Sequence, residues 1–349
     1  MTKGGIRKRR PCWRVFLALL ALTGSAASAM AGERQRIHVV SPAAVFPLAV
    51  AVSETFSQTT AFVTPVVERS EAARGFALFC EGVGPEHPDI ATATRRMTRA
   101  EYEACRRRGI TLSELKLGHQ AVVLAKARRG ASLALTRRQI FLALARQVPI
   151  NGQLTDNPYR LWSDIDFSLP VKAIQVYGPP AISAVRSAFG EMAMVPAARA
   201  FPGLRSLSGD ALSAFGQSLR ADGGFTEVAA MDEAGLQMLQ ARPDSLGLFG
   251  FTLLQQNAAL LQGIAIDGIA PSAESIAAGR YSLARPVYAY VKRENLGVIP
   301  GLRDYAKELA GETAAGPGGY LVRRGLVPLP PPERAILADA AARLSALQM

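Results

Sequence analysis

The chain has 349 residues, of which 49% are hydrophobic and 19% charged, and its formal net charge is +12. This length predicts about two domains with hydrophobic cores of ordinary size. The composition excludes a disordered chain and a chain that coats nucleic acid.

Residues 1–31 have the pattern of a secretory signal peptide, which we predict to be cleaved before Gly32. Basic residues precede an apolar run at 15–21, and small residues end the segment. The run is shorter than an ordinary membrane span, and retention of the segment as an anchor stays an alternative. Arg9 and Arg10 leave twin-arginine export open beside the general secretory route.

Cleavage would change the charge balance of the chain. Residues 1–31 hold six of the 40 basic residues and no acidic one, so 34 basic and 28 acidic residues remain, a net charge of +6. A charge of this size gives little support for a nucleic-acid partner. It is compatible with the attraction of small anions.

Cys80 and Cys105 are the two cysteines that remain after cleavage. In an exported chain two thiols suggest one disulfide, which would contribute roughly 3 kcal/mol by the loop-closure model. Because geometry decides whether two cysteines can be bridged, two free buried thiols stay open as the alternative.

The first third of the chain alternates between short strands and helices. Strands are predicted at 36–40, 62–68 and 89–91, and helices at 46–56, 76–80 and 98–107. Thr98 can cap the last of these helices, with Glu101 three residues on. The helix at 76–80 and its two flanking strands form one crossover unit of a parallel sheet. In such sheets ligands bind where strands end and helices begin, so residues 69–75 and 91–95 are predicted to line a site.

The rest of the chain continues the alternation without an internal repeat. Helices are predicted at 136–148, 183–192, 210–219, 233–240, 302–309 and 333–347, and strands at 115–127, 174–177, 246–251 and 285–291. Two α/β lobes joined by crossing segments near 115–123 and 246–254 accommodate this order. We predict that residues 32–118 and 252–349 form lobe 1 and that residues 119–251 form lobe 2.

No catalytic or metal-binding motif stands out in the sequence. The three histidines lack the spacing of a zinc site, and there is no nucleophile elbow, phosphate-binding loop or dinucleotide fingerprint. Asp164 and Asp166 could be read as paired carboxylates, but the order Trp162, Ser163, Asp164 favours capping of a loop. We therefore expect neither an enzyme, nor a metal site, nor a cofactor.

Three loops end a strand and open a helix, at residues 41–45, 69–75 and 178–183. Free backbone N–H groups and the positive end of the helix dipole make each loop a candidate cradle for an anion. Each loop is equally well explained as an ordinary turn between a strand and a helix.

Several segments that follow one another along the chain help to decide between an anion site and ordinary turns. Among them are NPYRLWSDIDFSLP, IQVYGPP, RPVYAYVKRENLGVIPGLRDY and GYLVRRGLVPLP. With these segments the chain resembles the phosphate-binding proteins of ABC uptake systems, the PstS-type branch of the periplasmic binding-protein superfamily. The resemblance implies an α/β, two-lobed periplasmic binding protein of type II, whose two crossover segments form a hinge. It also implies a periplasmic monomer that delivers its ligand to an ABC permease, and it supports a bridge between Cys80 and Cys105.

The resemblance further implies which residues line the ligand site. These ligand-binding positions are Ala43, Ala44, Ser70, Ala72, Arg74, Thr94, Arg95, Ser183, Arg186 and Asp232. Alanines at the first and second loops stand where the family has hydroxyl groups, and Glu71 adds a negative charge nearby. Each charge-assisted hydrogen bond lost in this way would cost roughly 1.5–3 kcal/mol if nothing replaced it. Arg74 is a candidate replacement donor, or else a solvated loop arginine, either alone or paired with Glu71.

We therefore expect an exported solute-binding protein that holds phosphate or a related small oxyanion between two lobes. The departures at the loops leave a second hypothesis open. In that hypothesis the scaffold has a lapsed pocket and acts as a sensor or as an interaction protein of the cell envelope.

Overall fold

The computed structural model describes residues 1–2 and 35–349, so the predicted signal peptide, apart from its first two residues, lies outside the described residues. Within the described part, no helix has both the length and the apolar character that a membrane crossing needs.

The described chain alternates between strands and helices. The strands are β1 (His38–Ser41), β2 (Val66–Arg69), β3 (Ile90–Ala93), β4 (Leu112–Ala127), β5 (Ala134–Leu135), β6 (Gln147–Ile150), β7 (Gln153–Asp156), β8 (Val176–Gly178), β9 (Phe225–Glu227), β10 (Leu246–Gly250), β11 (Leu261–Gly263), β12 (Ala265–Ile266), β13 (Ala284–Lys292) and β14 (Leu326–Val327). The helices are α1 (Phe46–Thr59), α2 (Ala72–Phe79), α3 (Arg99–Arg107), α4 (Arg137–Leu144), α5 (Trp162–Ile165), α6 (Ala184–Phe189), α7 (Val195–Ala200), α8 (Gly209–Gln217), α9 (Met231–Ala241), α10 (Phe251–Gln256), α11 (Ala273–Ala277), α12 (Leu302–Ala310), α13 (Glu312–Ala315) and α14 (Pro331–Arg343). A π-helical turn, Gly190–Met194, joins α6 to α7, and short 3₁₀ turns lie at Pro202–Leu204, Arg293–Gly297 and Val322–Arg324.

One sheet runs through most of the described chain, in the order β2-β1-β3-β13-β4-β10-β8-β9. The long strand β4 belongs to both of its halves. Its residues 112–121 pair antiparallel with β13, and its residues 122–125 pair antiparallel with β10. We call the half that contains β1, β2, β3 and β13 lobe 1, and the half that contains β8, β9 and β10 lobe 2. The predicted α/β class is confirmed.

The strands that precede the candidate loops are parallel within each lobe. In lobe 1, β1 pairs with β2 on one side and with β3 on the other. In lobe 2, β8 lies parallel to both β10 and β9. The carboxyl ends of parallel strands meet at one edge of a sheet, so each lobe gathers its strand-to-helix loops at a single edge. The predicted crossover through α2 is parallel, with β1 lying between its two strands.

Each lobe has its own hydrophobic core. The large core of lobe 2 contains Phe141, Trp162, Phe189 and Phe249. Lobe 1 has one cluster that includes Phe56 and Tyr305 and a second that includes Phe76 and Phe79. Full burial of such a side chain contributes about 1.5–3 kcal/mol. Each half of the sheet therefore has its own core, and the strand β4 runs through both halves.

Residues after β10 bear on the predicted lobe boundaries. Leu261, Ile276 and Tyr281 pack in the core of lobe 2, and β13 then begins with Ala284 opposite Ala121. This packing favours a return to lobe 1 near residue 284, later than the predicted crossing at 246–254. The division of the chain at residue 252 stays a prediction.

Helix α4 ends at Leu144, whereas its predicted end is residue 148. The next residue, Ala145, is extended, with φ −63° and ψ 144°. Asn157 Nδ2 donates to the carbonyls of Leu142 and Ala145, at 2.7 and 2.8 Å, and so satisfies acceptors that the helix end leaves free. Pro149 then lies in the hairpin of β6 and β7. The prediction of a longer helix was wrong because this tertiary cap was not visible in the local pattern.

Two other local predictions have clear outcomes. The final helix α14 ends at Arg343 and not at residue 347, because Leu344 adopts the left-handed conformation with φ 47°. Asp164 accepts the backbone N–H groups of Arg160 and Leu161, at 2.8 and 2.7 Å, so its predicted capping role is confirmed.

Cys80 and Cys105 form a disulfide that joins the end of α2 to α3, with 4.5 Å between their Cα atoms. Both cysteines are buried. The bridge implied by the family resemblance is confirmed, and the alternative of two free thiols was wrong.

Candidate functional site

The first two predicted loops, at 41–45 and 69–75, and the segment after β3 lie side by side in lobe 1. The backbone N–H of Ser70 donates to the carbonyl of Ser41 at 2.9 Å, which ties the second loop to the first. The hydroxyl of Thr92, at the end of β3, donates to Ser41 Oγ at 2.7 Å. The structure therefore brings Ala43 and Ala44 next to the loops that hold Ser70 and Thr94.

The first loop leaves backbone donors free. The N–H groups of Val45 and Phe46 both donate to the carbonyl of Pro42, at 2.9 Å. Helix α1 has no side-chain cap, and among the described residues the N–H groups of Ala43 and Ala44 have no acceptor. Ala44 is buried, with 4% of its surface exposed. An anion at this loop would be held by backbone N–H groups, since Ala43 and Ala44 carry no hydroxyl and Ser41 Oγ is already bonded to Thr92.

The second loop opens α2 in a similar way. Glu71 is the N-cap residue but makes no side-chain cap, so the first N–H groups of the helix remain available. Ser70 Oγ donates to the carbonyl of Glu71 at 3.3 Å. Arg74 and Glu71 are both exposed, and no ion pair joins them. The alternative of an Arg74–Glu71 pair is therefore not realised within the described residues.

Arg95 binds the carboxylate that caps the start of α3. Its guanidinium donates to both carboxylate oxygens of Glu101, at 2.8 and 2.7 Å. The same carboxylate accepts the N–H and the hydroxyl of Thr98, both at 2.8 Å, and completes the predicted capping box. Burial alone would raise the pKa of Glu101, but the hydrogen bonds from Arg95 and Thr98 outweigh it and hold that pKa below its usual range. The charge of Arg95 is therefore already balanced inside lobe 1.

In lobe 2 the retained hydroxyl is used for capping. Ser183 Oγ accepts the N–H of Val185 at 3.2 Å, at the start of α6. Asp232 lies in the exposed first turn of a different helix, α9. Nothing in the described contacts ties Asp232 to Ser183, although both follow parallel strands of the same half-sheet.

Arg186 is a buried cation of lobe 2, with 9% of its surface exposed. Its guanidinium lies 4.4 Å from the centre of the Phe225 ring, and its Nη1 lies 3.9 Å from a carboxylate oxygen of Glu227. Nη1 has no hydrogen-bond partner among the described residues. Burial lowers the pKa of Arg186, against the opposing effect of Glu227. A buried guanidinium N–H without an acceptor is costly, and a bound anion would supply one.

Arg186 borders a cavity of about 430 Å³ together with Arg220, Phe225 and Glu227. A larger cavity of about 890 Å³ lies between α10, α11 and residues 327–333. The lining of the larger cavity contains none of the predicted site residues, and its walls are mainly apolar. The smaller cavity is the better candidate for an anion because Arg186 on its wall has a nitrogen, Nη1, without a hydrogen-bond partner among the described residues.

A series of hydrogen bonds, which was not predicted from the sequence, connects the two lobes. Gln120 Nε2 donates to the carbonyl of Ala44 at 3.1 Å. Arg285 donates through Nε and Nη2 to Gln120 Oε1, at 3.1 and 3.0 Å. Arg285 Nη1 in turn donates to Glu191 in lobe 2, at 2.5 Å. In the sequence, Arg285 stands out only as a single arginine at the start of the apolar strand RPVYAYV, and its hydrogen-bond partners cannot be inferred there.

The chain is similar in sequence to known proteins and to one family model. Residues 26–313 match the family model described as a PBP superfamily domain. Protein SphX of Synechococcus elongatus is 25% identical over 288 residues, which cover 80% of this chain and 75% of that protein. Phosphate-binding protein PstS of Staphylococcus saprophyticus is 22% identical over 296 residues, which cover 83% of this chain and 80% of that protein.

Solved structures are similar in fold. A possible phosphate binding protein from Planctomyces limnophilus superposes with a TM-score of 0.69 at 21% identity, over 88% of this chain and 98% of that one. An ABC-type phosphate transport receptor from Vibrio cholerae gives a TM-score of 0.53 at 16% identity, over 84% of this chain and all of that one (100%). At these identities the likeness shows the fold, and it confirms the predicted two-lobed architecture.

Proposed function

This chain belongs to the PBP superfamily, and we propose that it is a solute-binding protein that holds phosphate or a related small oxyanion between its lobes. Relatives and similar structures that are named as phosphate-binding support this choice of ligand. We also propose that it is exported to the periplasm, acts as a monomer and delivers the ligand to an ABC permease; the likeness to a protein named as an ABC-type phosphate transport receptor supports the last point.

The observation that carries the proposal is the pair of uncapped helix starts in lobe 1. Helices α1 and α2 follow the adjacent parallel strands β1 and β2, and neither helix has a side-chain cap. The available N–H groups are those of Ala43 and Ala44, just before α1, and those of the first turn of α2, and together with the helix dipoles they favour a negative charge at the shared edge. Backbone donors require no hydroxyl, so Ala43, Ala44 and Ala72 are compatible with an anion held in this way.

Lobe 2 would complete the site when the cleft closes. Arg186 contributes a buried guanidinium whose Nη1 lacks an acceptor within the described residues. A charge-assisted hydrogen bond from such a group is worth about 1.5–3 kcal/mol. Movement of the lobes about β4 would bring this donor and the amides of lobe 1 onto one ligand.

A thermal-shift screen of residues 32–349 tests the proposal. A ligand that binds only the folded protein stabilises it by about 2.7 kcal/mol when present at a hundred times its Kd. We expect phosphate to raise Tm, and chloride at equal ionic strength to leave Tm unchanged. No shift with phosphate, phosphonates, sulfate and organic acids would contradict the proposal.

A second candidate function is an interaction protein with a lapsed pocket. It is favoured by the side chains that are already engaged, since Ser183 caps α6 and Arg95 is paired with Glu101. Glu71 would also repel an anion at the second loop. Solution scattering that shows no lobe closure with any solute would support this function, and tight retention of phosphate would exclude it.

A further inference from the structure

Arg285 has a position and a degree of burial that a surface ion pair does not explain. It is the second residue of β13, lies opposite Gln120 of β4, and its side chain is 11% exposed. Gln120 accepts from both Nε and Nη2, which fixes the plane of the guanidinium. The cation is therefore held in one orientation at the strand that both lobes share.

The guanidinium retains donors for a further acceptor. Arginine has five N–H donors, and the hydrogen bonds to Gln120 and Glu191 account for three of them. One N–H remains on each of the two terminal nitrogens, and oxyanions such as carboxylates and phosphates are acceptors for such donors. Arg285 can therefore take an oxyanion without losing its contact with Gln120.

Glu191 is a replaceable partner. It lies in the π-helical turn of lobe 2, and its side chain is 42% exposed, in contrast to that of Arg285. In the described part of the chain, its second carboxylate oxygen accepts only the hydroxyl of Ser187, at 3.0 Å. A half-exposed carboxylate can move into water at little cost, whereas the buried guanidinium must keep a counter-charge.

The same cation is connected to the first loop of lobe 1. The amide of Gln120 that fixes Arg285 also donates to the carbonyl of Ala44, whose own N–H lacks an acceptor among the described residues. The guanidinium therefore lies one side-chain amide away from the backbone donors of the proposed site. This places a buried positive charge where hydroxyl groups are missing.

We propose that Arg285 coordinates the bound oxyanion, and that Glu191 occupies the same guanidinium while the cleft is empty. The inference rests on the proposed function, since it assigns a ligand to the same cleft. An incoming anion displaces the Glu191 carboxylate and takes its place as the counter-charge. Affinity is then set by competition between the ligand and Glu191.

Titration calorimetry with inorganic phosphate tests the competition. We expect Glu191→Gln to bind phosphate about tenfold more tightly than the wild type, because the competing charge is gone. Glu274→Gln removes a carboxylate that is paired with Arg280 on the surface, and it should change Kd less than twofold. A gain of affinity cannot come from a misfolded variant.

Arg285 itself is tested by two substitutions. Arg285→Gln should weaken phosphate binding about ten- to hundredfold, the equivalent of one charge-assisted pair. Arg285→Lys keeps the charge without the bidentate fork and should fall between that variant and the wild type. Arg280→Gln removes an exposed arginine and should leave Kd within twofold.

The outcomes separate the two proposals. If the wild type binds phosphate and neither Glu191→Gln nor Arg285→Gln changes Kd, Arg285 is only a structural link and the inference is overturned, while the proposed function stands. If neither the wild type nor any variant binds phosphate or another oxyanion, the proposed function fails and the inference fails with it.

Discussion

Arg95 donates to both carboxylate oxygens of Glu101, at 2.8 and 2.7 Å, and the same carboxylate caps the first turn of α3. The family resemblance pointed to Arg95 as an anion ligand, but this geometry uses its charge within lobe 1. A guanidinium that already donates to both oxygens of a carboxylate binds a second anion weakly, because the carboxylate neutralises its charge. In our proposals the positive charge of the cleft comes instead from Arg186 and Arg285.

Arg95→Gln is expected to reduce stability without loss of ligand affinity. Loss of the ion pair and weakening of the capping box should lower the free energy of unfolding by about 1 kcal/mol. Denaturant unfolding measures this change, and calorimetry should give a Kd for phosphate within twofold of the wild type. A loss of affinity of tenfold or more would show that Arg95 leaves Glu101 to bind the ligand. Arg107→Gln, at an exposed position of the same helix, is the matched control.

Arg186→Gln is expected to weaken phosphate binding about ten- to hundredfold. The substitution removes the buried donor of lobe 2 that lacks an acceptor in the described residues. Because that donor is unpartnered, the variant should be at least as stable as the wild type in the absence of ligand. Arg205→Gln changes an exposed arginine of the same lobe and should leave Kd unchanged. An unchanged Kd for Arg186→Gln would remove Arg186 from the site.

Removal of the disulfide should cost roughly 3 kcal/mol of unfolding free energy. The bridge closes a loop between positions 25 residues apart and joins α2 to α3 beside the second loop. Urea unfolding of the Cys80→Ser, Cys105→Ser double variant measures the change. Reductant should destabilise the wild type by a similar amount and leave the double variant unaffected. Equal stability of the two proteins would contradict the prediction.

The stability of the protein should fall as pH drops from about 6.5 to about 4 through His119. Burial, with a smaller effect of Lys116, lowers the pKa of His119 from 6.5 to about 4. The unfolded chain therefore binds a proton before the folded chain does, so stability is fully present above pH 6.5 and is lost as pH falls through the folded pKa. The loss is at most roughly 3 kcal/mol.

The contribution of His119 is isolated by comparison with His119→Gln. The urea midpoint of this variant should depend less steeply on pH in that window than that of the wild type. His87→Gln, at a half-buried position of the loop between α2 and β3, is the matched histidine substitution for comparison. Parallel curves for the wild type and His119→Gln would mean that His119 does not titrate differently in the folded state.

Local features of the sequence were sufficient for much of the fold. The capping box of Thr98 and Glu101 was predicted because both residues lie within one turn, and it forms as expected. The strands β1 and β3 and the helix α1 follow from apolar spacing. Helix α4 was predicted to be too long because Asn157, which caps its end, lies in a later segment of the chain.

The candidate site was less predictable than the fold. Arg285 could not be recognised because its partners Gln120 and Glu191 lie 165 and 94 residues away in the chain. The family pattern gave the loop positions, but it could not show that Ser183 caps its own helix or that Arg95 is paired. These assignments depend on which donor faces which acceptor after folding.

Titration calorimetry of residues 32–349 with inorganic phosphate, after exhaustive removal of bound anions, tests the central claim most directly. We predict a saturable isotherm with one phosphate per chain, and weaker binding after Arg186→Gln or Arg285→Gln. Flat isotherms with phosphate, phosphonates, sulfate and organic acids would contradict an oxyanion-binding cleft.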